Sequence, residues 1–223
     1  MSILWLMAAD PEATSDAPDI LRLFPTFVWS RRLRPAVYEP IHVSVRATLG
    51  ELRQGRPPLA PGEAWQSGHA LHRRAELAAL VAQIRRAAAD VLGFLKIGSG
   101  ALEVTGCWAN VNAPGAPHRM HTHPNNFLSG AYYVQVAGGA DTINFHDPRP
   151  QTAIVRPPVT ELTGYNTDQV VLPVTPGTLI LFPAWLPHSV APNASARERI
   201  SVSFNLMFAA YAETMSPPLW GEP

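Results

Sequence analysis

The feature that most constrains this fold is a change in the spacing of apolar residues near residue 100. Beyond it, short runs rich in β-branched and aromatic residues alternate with clusters of proline, glycine and asparagine. The predicted strands cover 102–112, 127–137, 142–146, 170–174, 178–182 and 200–208. Because no helical pattern separates them, the order argues against a parallel α/β sheet. It predicts an antiparallel sandwich or barrel.

The first hundred residues follow a helical period instead. Apolar residues recur at helical spacing across 71–97, with charges mostly on the opposite face, which predicts an amphipathic helix. A shorter helix is predicted over 38–53, and the proline-rich stretch 56–62 between the two is predicted to be a loop. Aromatic and β-branched residues in 21–33 predict a strand at the domain edge.

These patterns predict one structural domain in three parts. Residues 1–100 form an N-terminal strand and helices that pack on the barrel, 101–210 form the β-rich core, and 211–223 form a C-terminal tail. A chain of 223 residues is long enough for one sizeable core with an added helical layer.

Charge and cysteine content argue against several classes of function. Seventeen basic residues balance 17 acidic ones, so nothing favours nucleic acid as a partner. Cys107 is the single cysteine, which rules out internal disulfides, cysteine-rich zinc sites and iron–sulfur clusters. No apolar stretch approaches the length of a membrane span, and the start of the chain lacks the basic region of a signal peptide. We therefore expect a soluble cytoplasmic protein.

Three histidines in the second half form the candidate metal site. Residues two apart in a strand point to the same side, so His121 and His123 can face one ion. His188 follows a predicted strand that two prolines bring to an end. We expect the other histidines to be structural, exposed or in loops: His42, His69, His72, His118 and His146.

Alternation along the last predicted strand gives a candidate anion site. Arg199, Ser201, Ser203 and Asn205 occupy one face, and apolar residues occupy the other. The apolar face belongs in a core, so the polar face lines solvent or a polar cavity. Arginine is suited to gripping a carboxylate with two hydrogen bonds. The same parity in the earlier strand places Ser129 and Tyr133 on one face, where the tyrosine hydroxyl can share the carboxylate. Histidines beside such a clamp suit a non-haem iron enzyme with an organic acid as co-substrate.

Five motifs, in order, carry a family resemblance. They are His121–Pro124, Ser129–Tyr133, Asp147–Arg149, Phe182–His188 and Arg199–Asn205. Together they resemble the 2-oxoglutarate- and Fe(II)-dependent oxygenase superfamily, and more narrowly a bacterial and phage group with His-x-His-Pro and Arg-Ile-Ser-x-Ser-Phe-Asn motifs. The resemblance covers about 105–208, and the segment 24–28 also resembles the start of that group.

The resemblance implies a mainly β fold, the double-stranded β-helix or jelly roll, with iron at its open mouth. It makes His121 the first ligand and His188 the distal one. Arg199 would bind the far carboxylate of 2-oxoglutarate, with Ser201 two residues on and Tyr133 helping to hold the same group. The set of candidate cofactor-binding residues is Ser129, Tyr133, Arg199, Ser201 and Asn205.

The residue at the second ligand position, His123, differs from the one usual in the superfamily. The superfamily's usual second ligand is a carboxylate at the position of His123. Three completions stay open: His123 itself, which we favour, a distant carboxylate such as Asp147, or water.

The implied activity is that of a dioxygenase using Fe(II), 2-oxoglutarate and O₂. Such an enzyme hydroxylates an unactivated C–H bond, here of a small molecule or peptide side chain, and releases succinate and CO₂. A cupin-like metal enzyme without 2-oxoglutarate would not need Arg199, and a catalytically silent jelly-roll binding protein would not need the metal. We expect the loop 147–169 and the N-terminal segment to choose the substrate. Uncovered helices are also compatible with a homodimer.

Overall fold

The computed structural model describes residues 20–98, 102–150 and 154–212. Its strands are β1 (Trp29–Arg32), β2 (Ala64–Gln66), β3 (Leu102–Asn112), β4 (His118–His121), β5 (Leu128–Gln135), β6 (Thr142–His146), β7 (Gln169–Pro173), β8 (Thr178–Pro183), β9 (His188–Val190) and β10 (Arg199–Phe208). Its helices are α1 (Pro35–Leu52), α2 (Ala78–Leu95) and the short α3 (Ala209–Ala212). Two 3₁₀ turns, Leu71–Arg73 and Ala75–Leu77, precede α2.

The strands form two sheets, and every ladder between named strands is antiparallel. The larger sheet has the order β1-β8-β5-β10-β3-β2, and the smaller has the order β4-β9-β6-β7. Neighbours in the sheets are mostly distant in the sequence, as in a double-stranded β-helix. The predicted antiparallel jelly roll is confirmed.

Two apolar cores fix how these layers pack. One lies between the two sheets and includes Tyr133 of β5, Phe145 of β6 and Phe182 of β8. The other joins the large sheet to the helices and includes Val45 of α1, Ile84 of α2 and Phe204 of β10. The helices therefore cover one face of the large sheet, and the small sheet faces the other.

The helix predictions were right in kind and shifted at their ends. The helix predicted over 38–53 begins at Pro35, because proline is well accepted in the first turn of a helix. The helix predicted over 71–97 is regular only from Ala78 to Leu95. An extended Arg74 separates the two 3₁₀ turns before it, and Lys96 ends it with a left-handed φ of 55°.

The sequence patterns missed the shortest strands. Only Trp29–Arg32 of the predicted edge strand 21–33 is a strand, and it pairs with β8. β2, β4 and β9 have three or four residues each, too few to show an alternation. The N-terminal region therefore supplies two edge strands of the large sheet as well as helices. Across the described ranges, no helix is long and apolar enough for a membrane span.

Candidate metal centre and active site

Two short strands and one loop bring the three predicted histidines together. β4 ends at His121 and β9 begins at His188, and the two residues are direct partners in the ladder. His123 lies just past the end of β4, where its backbone N–H donates to Ala184 O at 2.9 Å. One ring nitrogen from each histidine lies within 4.8 Å of the other two. The three imidazoles can therefore converge on one ion.

Backbone carbonyls orient two of these rings. His121 Nδ1 lies 2.8 Å from Arg119 O, and His188 Nδ1 lies 3.0 Å from Leu186 O. Since a carbonyl only accepts, each Nδ1 carries a proton, and Nε2 is the ring nitrogen that can bind a metal. This is the usual way in which proteins aim a histidine at a metal.

The surroundings keep two of the imidazoles, those of His123 and His188, neutral. Burial lowers the pKa of His188 to about 3, with further contributions from the neighbouring imidazoles. Burial likewise lowers the pKa of His123 to about 4. A metal binds the neutral ring, so both side chains are ready to act as ligands at neutral pH.

A fourth histidine lies in the same place, contrary to the sequence prediction. His118 was expected in a loop, but it begins β4, and its ring stacks on that of His121 with centroids 4.7 Å apart. Burial lowers its pKa to about 4. The proline-rich approach to His118 suggested a turn, and the antiparallel pairing with Val190 in β9 was not visible in the sequence.

Arg199 and Tyr133 line the same small cavity, which has a volume of about 40 Å³. They lie on neighbouring strands, with the Arg199 guanidinium carbon 5.4 Å from the centre of the Tyr133 ring. Arg199 is only 4% exposed, and Tyr133 is fully buried. Among the described residues, neither Arg199 Nε nor the Tyr133 hydroxyl has a hydrogen-bond partner. Ser201, the next residue on this face of β10, also lines the cavity.

Unpaired buried groups of this kind are costly unless a ligand satisfies them. Burial lowers the pKa of Arg199, and the nearby Tyr133 and Asp141 raise it in part. Burial raises the pKa of Tyr133, an effect that Arg199 partly offsets. A carboxylate would accept hydrogen bonds from both side chains and neutralise the guanidinium. The residues present therefore fit an organic acid at this end of the cavity.

The same wall continues onto the neighbouring strand β3, whose part in the site was not predicted. Trp108, Asn110 and Asn112 line the cavity and pair directly with Ser203, Ser201 and Arg199 of β10. Asn110 is fixed from both sides: its Oδ1 accepts from Gln66 Nε2 at 2.7 Å, and its Nδ2 donates to Ser203 Oγ at 2.9 Å. Trp108, Asn110 and Asn112 alternate with apolar residues as the polar residues of β10 do. The sequence alone could therefore have placed them on one face of the strand.

Three predicted residues lie outside this arrangement. Ser129 and Asn205 are not among the residues that line the cavity; instead Ser129 Oγ donates to Asn205 Oδ1 at 2.7 Å. Asp147 is not part of the cluster of possible metal ligands in the described chain. Its carboxylate accepts two hydrogen bonds from the Arg149 side chain, both at 2.9 Å. Arg149 also lowers the pKa of Asp147.

Three convergent histidines line the same cavity of a jelly roll as a buried arginine and tyrosine, and this arrangement defines a class of protein. It is that of proteins equipped for a non-haem metal ion and an organic acid. The model of the family described as "Putative 2OG-Fe(II) oxygenase" matches residues 106–205. This stretch of the chain is similar to that family, whose description names Fe(II) and 2-oxoglutarate. The resemblance inferred from the motifs is confirmed.

Solved structures with the same fold come from different enzymes. The α-ketoglutarate-dependent epimerase SnoN from nogalamycin biosynthesis is 14% identical, with 87% of this chain and 88% of that chain covered and a TM-score of 0.60. A Pseudomonas putida prolyl-4-hydroxylase is 14% identical, with 82% and 93% covered and a TM-score of 0.55. HygX from Streptomyces hygroscopicus, solved with nickel and 2-oxoglutarate bound, is 12% identical, with 82% and 83% covered and a TM-score of 0.58. No curated protein matches the sequence.

Proposed function

We propose that the chain is a 2-oxoglutarate-dependent dioxygenase that hydroxylates an unactivated C–H bond. The substrate is a small molecule or a peptide side chain, and the by-products are succinate and CO₂. One observation carries the proposal. Buried Arg199 and Tyr133 each have a polar atom without a hydrogen-bond partner among the described residues, and they line the same cavity as three convergent histidines. A site for an acid and a site for a metal ion therefore lie side by side.

His121, His123 and His188 would hold the iron. The carbonyls of Arg119 and Leu186 fix two of the rings before metal arrives, so little ordering is needed on binding. When bound, Fe(II) with 2-oxoglutarate and O₂ supplies the oxidising power for C–H cleavage. In this account His123 takes the place of the usual carboxylate, since Asp147 is already held by Arg149.

Arg199, Tyr133 and Ser201 would hold the far carboxylate of 2-oxoglutarate. The guanidinium supplies charge and directed donors, and the two hydroxyls add further hydrogen bonds. Burial of the clamp excludes water and strengthens each of these interactions. Ser129 and Asn205 bond to each other, and we assign them to support of the β5–β10 pair.

The β3 wall and the long loop after β6 would select the substrate. Trp108 offers an apolar surface, and Asn112 offers an amide close to the clamp. The guanidinium carbon of Arg22 lies 5.9 Å from the centre of the Tyr165 ring. This contact joins the N-terminal segment to the loop, the two segments for which the sequence predicts a part in recognition.

Formation of succinate from 2-oxoglutarate tests the reaction class. We expect turnover that needs both Fe(II) and O₂ and that falls to background in His188→Ala. His146→Ala is the matched control, because His146 lies in the same sheet but bonds to Ser189 Oγ outside the cluster. Full turnover in His188→Ala would overturn the assignment.

Mass spectrometry of the product tests hydroxylation itself. The proposal predicts the gain of one oxygen atom from O₂. Epimerase and carbocyclase activities are carried by neighbours of the same fold, SnoN and SnoK. A product of unchanged mass, or one that has lost two hydrogens, would keep the family and refute hydroxylation.

A further inference from the structure

A second groove lies on the helix-covered side of the large sheet, away from the histidines. It has a volume of about 450 Å³, which is in the range of small-molecule sites. The last turns of α1, the loop after it and the start of β10 form its walls. Its apolar floor includes Leu49 and Ile200, both largely buried.

Positive charge dominates this groove in a chain with no net charge. Three arginines, Arg46, Arg53 and Arg56, face one carboxylate, that of Glu198. Arg53 binds Glu198 with two hydrogen bonds of 2.9 and 3.1 Å. Neither Arg46 nor Arg56 forms an ion pair with any described residue. Two guanidinium groups are therefore available to an anion.

The aromatic ring of Trp65 helps to position the arginines. The guanidinium carbons of Arg53 and Arg56 lie 5.9 and 6.0 Å from its ring centre. Such contacts restrict long side chains that are otherwise mobile. Less conformational freedom is then lost when an anion binds.

Gly50 keeps the groove open. A glycine inside an exposed helix weakens the helix, so its presence needs a reason. A Cβ built at Gly50 meets no atom within 4 Å, so the position faces free space. A larger side chain at this position would enter the groove without straining the helix.

We infer that this groove binds a small organic phosphate dianion. A single carboxylate is satisfied by one guanidinium, as Glu198 is by Arg53. A phosphate monoester offers three acceptor oxygens and about two charges, which suits a groove lined by three arginines. Its organic part would rest on the apolar floor. The site is separate from the metal cavity and does not depend on the proposed reaction.

Calorimetric titration of the metal-free full chain tests the site, with phenyl phosphate as the probe and benzoate as the carboxylate counterpart. We expect saturable binding of phenyl phosphate and weaker binding of benzoate. The double variant Arg46→Gln/Arg56→Gln and the variant Gly50→Leu should each weaken binding about tenfold or more. Glu198→Gln should strengthen it, because Arg53 loses its internal partner.

Two controls separate this site from general charge and from the metal cavity. Arg85→Gln/Arg86→Gln removes the same charge from the exposed face of α2 and should leave binding unchanged. Arg199→Ala should also leave it unchanged, and Gly50→Ala, which adds one methyl group, should nearly do so. Equal binding of benzoate, equal loss in the α2 double variant, or full affinity in Gly50→Leu would each overturn the inference.

Discussion

Arg199 and Tyr133 lie side by side on β10 and β5, with the guanidinium carbon 5.4 Å from the centre of the tyrosine ring. Both side chains are buried, and among the described residues each leaves a polar atom without a partner. A folded chain does not gain stability from such an arrangement. It gains a site in which an incoming carboxylate finds its donors already in place.

Removal of the Tyr133 hydroxyl should weaken binding of 2-oxoglutarate without lowering the stability of the ligand-free protein. Tyr133→Phe deletes a buried donor that lacks a partner, so the free energy of unfolding of the ligand-free protein should not fall. The affinity for 2-oxoglutarate should fall about tenfold, since one hydrogen bond to the acid is lost. Urea denaturation and calorimetric titration of the same samples give both numbers. A loss of stability with unchanged affinity would contradict the proposed role.

The charge and the shape of Arg199 should both matter. Arg199→Ala should weaken 2-oxoglutarate binding by about 100-fold, because the acid would lose its charged partner in a buried site. Arg199→Lys should recover only part of this, since an ammonium group cannot form the paired hydrogen bonds of a guanidinium. Equal affinities for the lysine variant and the unchanged protein would argue against a two-pronged contact.

The set of metal ligands can be tested by metal content. Ala substitutions of His121, His123 and His188 should each reduce binding of Fe(II), or of Ni(II) as a stable substitute, by about tenfold or more. Asp147→Asn should leave binding unchanged, because Arg149 already holds that carboxylate. Loss of metal in Asp147→Asn together with retention in His123→Ala would replace the three-histidine site with one completed by a carboxylate.

Acid should destabilise the metal-free protein before the carboxylates titrate. The pKa values of His118 and His123 fall from the usual 6.5 to about 4, and that of His188 falls to about 3. Between these values and 6.5 the unfolded chain binds more protons than the folded one. Stability is therefore full above about pH 6.5 and is lost as the pH falls toward 4. Urea denaturation across this range measures the loss.

His118→Gln gives the matched variant for this pH effect. One depressed imidazole is removed, so the dependence of stability on pH should weaken by roughly one proton. An unchanged slope would show that His118 does not contribute.

Gly130 should tolerate no larger residue. It lies in the centre of β5, and a Cβ there would stand 2.3 Å from Phe204 Cζ and 2.4 Å from the Ile180 carbonyl oxygen. Gly130→Ala should therefore destabilise the protein by about 3 kcal/mol. Gly138→Ala meets no atom within 4 Å and serves as the control. Equal melting temperatures for both variants would contradict the tight packing of β5 against β10.

Patterns of apolar residues within the longer strands made much of this fold predictable. The runs at 102–112 and 142–146 match β3 and β6, because each strand is long or apolar enough to show its pattern. β4 and β9 carry His121 and His188, yet neither exceeds four residues. Their pairing depends on the small sheet as a whole, which no local pattern encodes.

A site residue could be predicted where a charged or metal-binding side chain also lies on the polar face of an alternating strand. Arg199 could be predicted because it is a charged residue on the polar face of a strand whose other face is apolar. Asn110 and Asn112 obey the same rule on β3 but were not predicted, because an uncharged amide is common at solvated strand positions and does not by itself indicate a site. The position of His118 beside His121 could not be predicted, because it requires the ladder between β4 and β9.

The most direct test of the account is an anaerobic titration of the Fe(II)-loaded protein with 2-oxoglutarate. The visible absorption of the iron–acid chelate is the signal. We predict a saturable band in the unchanged protein and its loss at the same acid concentration in Arg199→Ala. Bound iron with no band, or a band that persists at full affinity in Arg199→Ala, would contradict the central claim that Arg199 and the histidines build one site.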